Sequence, residues 1–178
     1  MKTASQLFYA KGMTATGIDT ITAKAGVAKM SLYNNFSSKE DLMLAYINAR
    51  HQEWLELYRS CADNNAPPAD GVLAVFDAYI DHAEVSSPDG FRGCGLLNAA
   101  AELPAGAAGR EAVRRHKAEV QSILASHLGE ITSRERAQET AEHLALLLEG
   151  AVSLAGLDSH LGRLEQARDI ARRIIEAL

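Results

Sequence analysis

From Thr16 to Asp41 the chain reads TGIDTITAKAGVAKMSLYNNFSSKED, and its breaks come too close together for anything but short helices. Thr16 stands three residues ahead of Asp19, a capping-box spacing that opens a helix. Ile18, Ile21 and Ala25 give that helix an apolar stripe. Gly26 then supplies a residue free to take the left-handed backbone of a sharp turn. A further helix is predicted over about Ala28 to Phe36, with Leu32 and Phe36 one turn apart facing inward. Its other face carries Lys29, Met30, Ser31, Tyr33 and Asn34. Ser37 and Ser38 each stand three residues before an acidic residue, Glu40 and Asp41, a doubled N-cap signature for the next helix. Two short helices at a sharp angle, the second exposing polar side chains, have the geometry that enters a DNA major groove.

The rest of the chain reads as helix throughout. A first helix is predicted over about Thr3 to Lys11, with Ala4, Leu7, Phe8 and Lys11 on one face and Gly12 as its stop. The helix opened by Ser37 and Ser38 runs past Trp54 to about Ser60, and ADNNAPPAD (62–70) is the clearest loop. Helices follow over about Gly71–Val85, Cys94–Leu103, Arg110–Leu128, Arg134–Leu157 and Leu161–Leu178, with breaks at SSPDG (86–90) and PAGAAG (104–109). No alternating run argues for a strand. The expected fold is all-α, with an N-terminal three-helix module over residues 1–45 and a helical bundle over 46–178.

Charge decides what each part touches. The chain as a whole carries −5, but residues 1–50 hold six basic and three acidic side chains, leaving −8 on the remainder. A cationic head on an anionic body is the signature of polyanion binding confined to one domain. The longest apolar run, Leu144 to Leu157, is interrupted by Glu149 and Ser153 and falls short of the ~20 residues that span a bilayer. Two cysteines, Cys61 and Cys94, make no disulfide framework. They fit partly buried thiols in a reducing cytoplasm, with a thiol-sensing role at Cys94 as the alternative.

The run TGIDTITAKAGVAKMSLYNNFSSKEDL resembles the helix-turn-helix of TetR-family transcriptional regulators: a Thr before the second helix, an Ala-Gly-Val turn, a Leu-Tyr-x-x-Phe core and a Ser-Lys-Glu helix start. The match is close over about Leu7–Leu42; RGCGLLN (92–98) followed by Glu102 resembles a segment near the sixth helix of some members. The resemblance implies a homodimer that binds a palindromic operator. Its C-terminal domain would hold a small-molecule pocket and the dimer interface, and effector binding would release the DNA. It also assigns Thr16, Ser31, Tyr33 and Lys39 to phosphates. Lys29 can donate to guanine and Met30 can pack on a thymine methyl, while Asn34 suits either a phosphate or an adenine edge. Tyr33 has a plain alternative as a core aromatic. The chain departs from the family at Asn34, where a histidine is common, and at Met30, where the residue is often small. It also has few basic residues ahead of the first helix, which fits either an upstream start or fewer phosphate contacts.

Pocket candidates are Trp54, Tyr58, Phe76, Tyr79, His82, Leu97, Asn98, His116, Val120, Ile123, His143 and Leu147, each of which could equally be plain core. His116 lies beside Arg114, Arg115 and Lys117, which suggests it faces water. The helix over 134–157 is apolar on two sides, so it must meet its own core and something else. Leu144, Leu148, Ala151 and Ala155 form one stripe, and Leu147, Gly150, Leu154 and Leu157 a second. The first stripe, with Leu164, Ala167, Ala171, Ile174 and Leu178, is the expected dimer surface. No Gly-rich phosphate loop, nucleophile elbow or metal-ligand spacing is present, and Gly93-Cys94-Gly95 lacks the rest of a dinucleotide fingerprint. Asp158-Ser159-His160 is merely adjacent, whereas a triad is spatial. No enzyme, metal or cofactor is expected. The expected partners are operator DNA, a small effector and a second copy of the chain. An activator, or a DNA-organising protein without a ligand, is the alternative on the same fold.

Overall fold

In a computed structural model the described residues are 1–63, 65–85, 90–158 and 160–178, and nine helices lie among them. Three short ones come first: α1 (Lys2–Lys11), α2 (Ile18–Ala25) and α3 (Lys29–Tyr33). Glycine ends the first two. Gly12, at φ 88°, closes α1 with its amide on the Phe8 carbonyl. Gly26, at φ 66°, closes α2: its amide meets the Ala23 carbonyl and the Val27 amide meets Thr22. These paired bonds make a Schellman end, which needs the left-handed backbone that glycine takes without strain.

The helix predicted from Thr16 starts later and by another device. Gly17 is the N-cap and contributes no side chain. Thr16 turns inward, 2 % exposed, and its hydroxyl donates to the Gly12 carbonyl at 2.6 Å. It therefore ties the α1–α2 turn instead of capping α2. Thr22, not Ala25, is buried beside Ile21. α3 is also shorter than predicted: helical bonding ends at Tyr33, although the Phe36 amide still reaches the Leu32 carbonyl. Next comes α4 (Lys39–Cys61). Ser38 caps it, accepting from the Asp41 amide at 3.0 Å, while the Ser37 hydroxyl donates to the Asp41 carboxylate.

The body holds α5 (Pro68–Val85), α6 (Gly95–Ala101), α7 (Ala108–Leu128), α8 (Arg134–Asp158) and α9 (Gly162–Glu176). Their ends lie within three residues of those predicted. Most of the SSPDG break, residues 86–89, lies outside the described residues, as do Asn64 of the 62–70 loop and Ser159. The chain divides into two units, and not at a single cut after residue 45. The first comprises residues 1–52 and 95–114, the second 53–94 and 115–178.

In the first unit Leu7, Phe8, Met13, Leu42, Tyr46 and Ile47 are buried, with Phe8 edge-on to Tyr46 at 5.4 Å. α6 and the start of α7 join this unit for a concrete reason. The Glu102 carboxylate accepts from the Met13 amide at 3.0 Å and the Thr14 amide at 2.6 Å, clasping the α1–α2 turn. In the second unit Val72, Val75, Phe76, Leu124, Leu128, Leu144, Leu148 and Leu164 are fully buried. Each such side chain contributes about 1.5–3 kcal/mol before entropy is charged against it. Arg168 grips Asp77 with two parallel bonds, fixing α9 to α5. By length and composition alone α8 is apolar enough to cross a membrane, which the sequence reading did not allow for. Ala137, Ala141, Leu144, Leu148 and Ala155 on it are core positions of the second unit.

Candidate nucleic-acid interface and sensor cluster

α3 is anchored by one residue. Leu32 is buried, and Phe36 beyond it is half-buried. Lys29, Ser31 and Asn34 are exposed, Met30 is 71 % exposed and Tyr33 42 % exposed. Tyr33 is thus no core aromatic: a large ring and a methionine stand in water on a five-residue helix. Lys29 sits at the N-terminal end, where a recognition helix meets base edges. Its ammonium pairs with Asp19 of α2 at 2.8 Å, and that carboxylate holds the lysine pKa above its ordinary value. Lys39 is half-buried and donates to the Thr14 carbonyl at 3.1 Å. The reading of Thr16 as a phosphate ligand through its hydroxyl fails, because that hydroxyl is buried and committed to Gly12.

The second unit gathers aromatic and polar side chains from four helices. Trp54 lies parallel to Tyr58 at 5.8 Å, tilted on Tyr79 at 5.4 Å and edge-on to His116 at 5.4 Å. The Tyr79 hydroxyl is 3.4 Å from His116 Nε2 and accepts from Lys117 Nζ at 3.3 Å. Lys117 also pairs with Glu149 at 2.5 Å and donates to the Cys94 sulfur at 3.5 Å. Burial works against the Lys117 charge. The Tyr79 oxygen, the Cys94 sulfur and the Glu149 carboxylate outweigh it and hold its pKa above the ordinary value. Burial likewise drives the Tyr79 and Tyr58 hydroxyls upward, and Tyr58 meets His127 Nε2 at 2.7 Å.

Of the predicted pocket residues, Trp54, Tyr58, Tyr79 and His116 come together, and Phe76 and Val120 lie buried in the same core with Ile123 packed against it. His116 is 2 % exposed, so its basic neighbours in sequence misled: Arg114 and Arg115 are exposed while the helix turns His116 inward. His82 is half-buried. Leu97 and Asn98 are exposed and belong to the first unit, and His143 is exposed on α8; none of the three joins the cluster. Leu147 packs against the same core and also lines an external groove. Lys117 and Glu149 were missed. They sit on different helices and read as ordinary solvated charges, and no local spacing marks them. Cys61 fits the plain reading: burial, then its contact with Asp81 at 3.4 Å, pushes the thiol up to about 11.

The expected dimer stripe is overturned. Leu144, Leu148, Ala155, Leu164 and Ala171 are 0 % exposed within the single chain, Ala151 and Ala167 nearly so, and Ile174 and Leu178 pack against the same core. α8 spends that face on its own unit. The open face carries Leu146, Leu154 and Leu157, exposed by 66, 46 and 80 %. Leu146 and Leu154 also line a groove with Leu147, Gly150, Ala151, Arg163, Gln166, Ala167 and Ile170.

Residues 1–46 match the family model described as bacterial regulatory proteins, tetR family. A TetR-family transcriptional regulator from Streptomyces coelicolor, SCO4454, is 30 % identical, with 99 % of this chain and 89 % of that one covered at a TM-score of 0.81. A TetR transcriptional regulator from Chloroflexus aurantiacus is 27 % identical over 98 % of this chain and 90 % of its own, at a TM-score of 0.83. The HTH-type transcriptional activator FasR of Mycolicibacterium smegmatis is 39 % identical over 84 residues, which are 44 % of this chain and 37 % of that protein.

Proposed function

The chain belongs to the TetR family of transcriptional regulators, and from that premise we propose that it is a ligand-responsive repressor. It binds a palindromic operator as a homodimer and lets go when a small molecule occupies the second unit. One observation carries the DNA half of this reading: Lys29, Met30, Ser31, Tyr33 and Asn34 all stand exposed around the single buried anchor Leu32. Lys29 and Met30 read base edges; Ser31, Tyr33 and Lys39 hold phosphates; Asn34 does either. The dimer forms through the open face of α8 with the α8–α9 groove, where Leu146, Leu154 and Leu157 otherwise remain in water. Such a protein works in the cytoplasm, where its DNA is, with no metal or cofactor.

Selection of bound duplexes from a random pool tests this, followed by titration of the strongest and a weak site. Tyr33→Phe is expected to weaken both sites about equally, and Lys29→Ala to change preference as well as affinity. Affinity should fall steeply with salt as counterions are released. Recovery of no preferred sequence by the intact protein would defeat the proposal. The name of FasR favours a second reading, activation from the same operator. A reporter with the selected site upstream of a weak promoter separates the two by the sign of the response.

A further inference from the structure

Two buried polar atoms in the second unit have no hydrogen-bond partner among the described residues: Trp54 Nε1, a donor, and Glu149 Oε2, an acceptor. Trp54 is 2 % exposed. Both atoms belong to one network. The Trp54 ring packs on Tyr79 and His116, the Tyr79 hydroxyl meets Lys117, and Lys117 meets the other oxygen of Glu149. A buried polar group without a partner loses its bonds to water and gains nothing back, so such orphans are rare and call for a partner outside the protein's own groups.

We propose that this cluster recognises the effector, an uncharged small molecule carrying both a hydrogen-bond acceptor and a donor, such as a primary amide or a hydroxyl, which accepts from the Trp54 indole N–H and donates to Glu149 Oε2. The proposal deepens the reading of the second unit as the sensor and rests on it. The charge state of the ligand follows from the ion pair. Lys117 and Glu149 cancel each other, and Lys117 already serves the Tyr79 hydroxyl and the Cys94 sulfur. An anion would have to displace Glu149 from Lys117, and a cation would have to displace Lys117 from Glu149. Either leaves the remaining charge of a pair whose side chains are only 21 and 30 % exposed without its counter-charge. A neutral ligand satisfies both orphans and leaves the pair intact. A purely apolar ligand would leave both orphans unsatisfied.

Trp54 is the chain's single tryptophan, so its emission reports on this site directly. The full-length protein is titrated with four probes of matched size: benzamide, benzoate, benzylammonium and toluene. Benzamide is expected to shift the Trp54 emission saturably and to bind at least about tenfold tighter than the other three, the ratio that one lost buried hydrogen bond to a charged group produces. Glu149→Gln should weaken benzamide by about the same factor and let benzoate in, because Lys117 then lacks its counter-charge. Trp54→Phe keeps a ring in place and removes the N–H. Followed by calorimetric titration, it should weaken benzamide without admitting benzoate. Equal binding of toluene or benzoate to the intact protein overturns the proposal, and so does a flat titration with every probe. A flat titration by protein that still selects an operator counts against this inference alone. Benzamide binding by protein that selects no DNA counts against the DNA reading alone.

Discussion

Glu102 shows how one side chain can brace the turn between α1 and α2 from a distant part of the sequence. It is exposed, yet its two oxygens accept from the Met13 and Thr14 amides. What burial it has pushes its carboxyl toward protonation. The Thr14 and Met13 amides and the Lys39 ammonium win, and the pKa lies below the usual carboxylate range. A carboxylate of lowered folded pKa stabilises the native state above its unfolded pKa, about 4.3, and loses that contribution as pH falls through the folded value. Glu102→Ala should therefore cost stability at pH 7, on the order of 1 kcal/mol given the exposure of the group. The gap between mutant and parent should close as pH is taken down to about 3. Melting curves at both ends check this, and a gap unchanged in acid would show that the clasp is not ionic. The same scale explains one misreading of the sequence. Thr16 has the spacing of a capping box, and spacing cannot say that a carbonyl four residues back, at Gly12, offers a better partner. The buried turn at Gly12 decided it.

At the scale of the element, boundaries were legible because they rest on local chemistry: Gly12 and Gly26 at helix ends, Ser38 at a helix start, and apolar spacing between them. Which face of a helix meets what was not legible for α8. A helix apolar on one side announces its core, whereas one apolar on two sides gives two equivalent stripes. Only packing shows that Leu144 and Leu148 went inward and Leu146 and Leu154 outward. Two glycines on this helix make the contrast testable. Gly150→Ala meets nothing within 4 Å, so the propensity gain of up to about 1 kcal/mol should appear as added stability of the isolated chain. Gly156→Ala carries the same propensity gain, but its Cβ would lie 2.4 Å from the Gly93 nitrogen and 2.6 Å from its Cα. Backbone cannot swing aside as a side chain can, so the sign reverses and the protein loses stability, by roughly 1–3 kcal/mol for an overpacked contact. Denaturant titration of both variants should move their midpoints in opposite directions. A rise for Gly156→Ala would mean that the segment around Gly93 gives way freely.

For the whole molecule, a basic head and an acidic body were evident from charge alone, and the family from twenty-seven residues of motif. What charge and motif could not supply was which surface the proposed homodimer would use. An operator with two half-sites about 34–36 Å apart needs a symmetric pair to hold both. With Leu144, Leu148 and Ala155 taken by the core, the open face of α8 is the surface we propose for the task. Replacing Leu146 and Leu154 by glutamate adds two charges on each copy. Across a two-fold axis they face like charges, in a patch that a stable dimer has to desolvate. Neither residue is in the core of its own chain, so helical content and melting should change little. Sedimentation should then show a monomer. A single half-site should still be bound as weakly as before, while the full palindrome loses about a hundredfold or more in affinity, the part that came from holding two heads on one body. A double variant that remains dimeric and keeps its grip on the palindrome would move the interface to another face of the second unit and leave these leucines without a role.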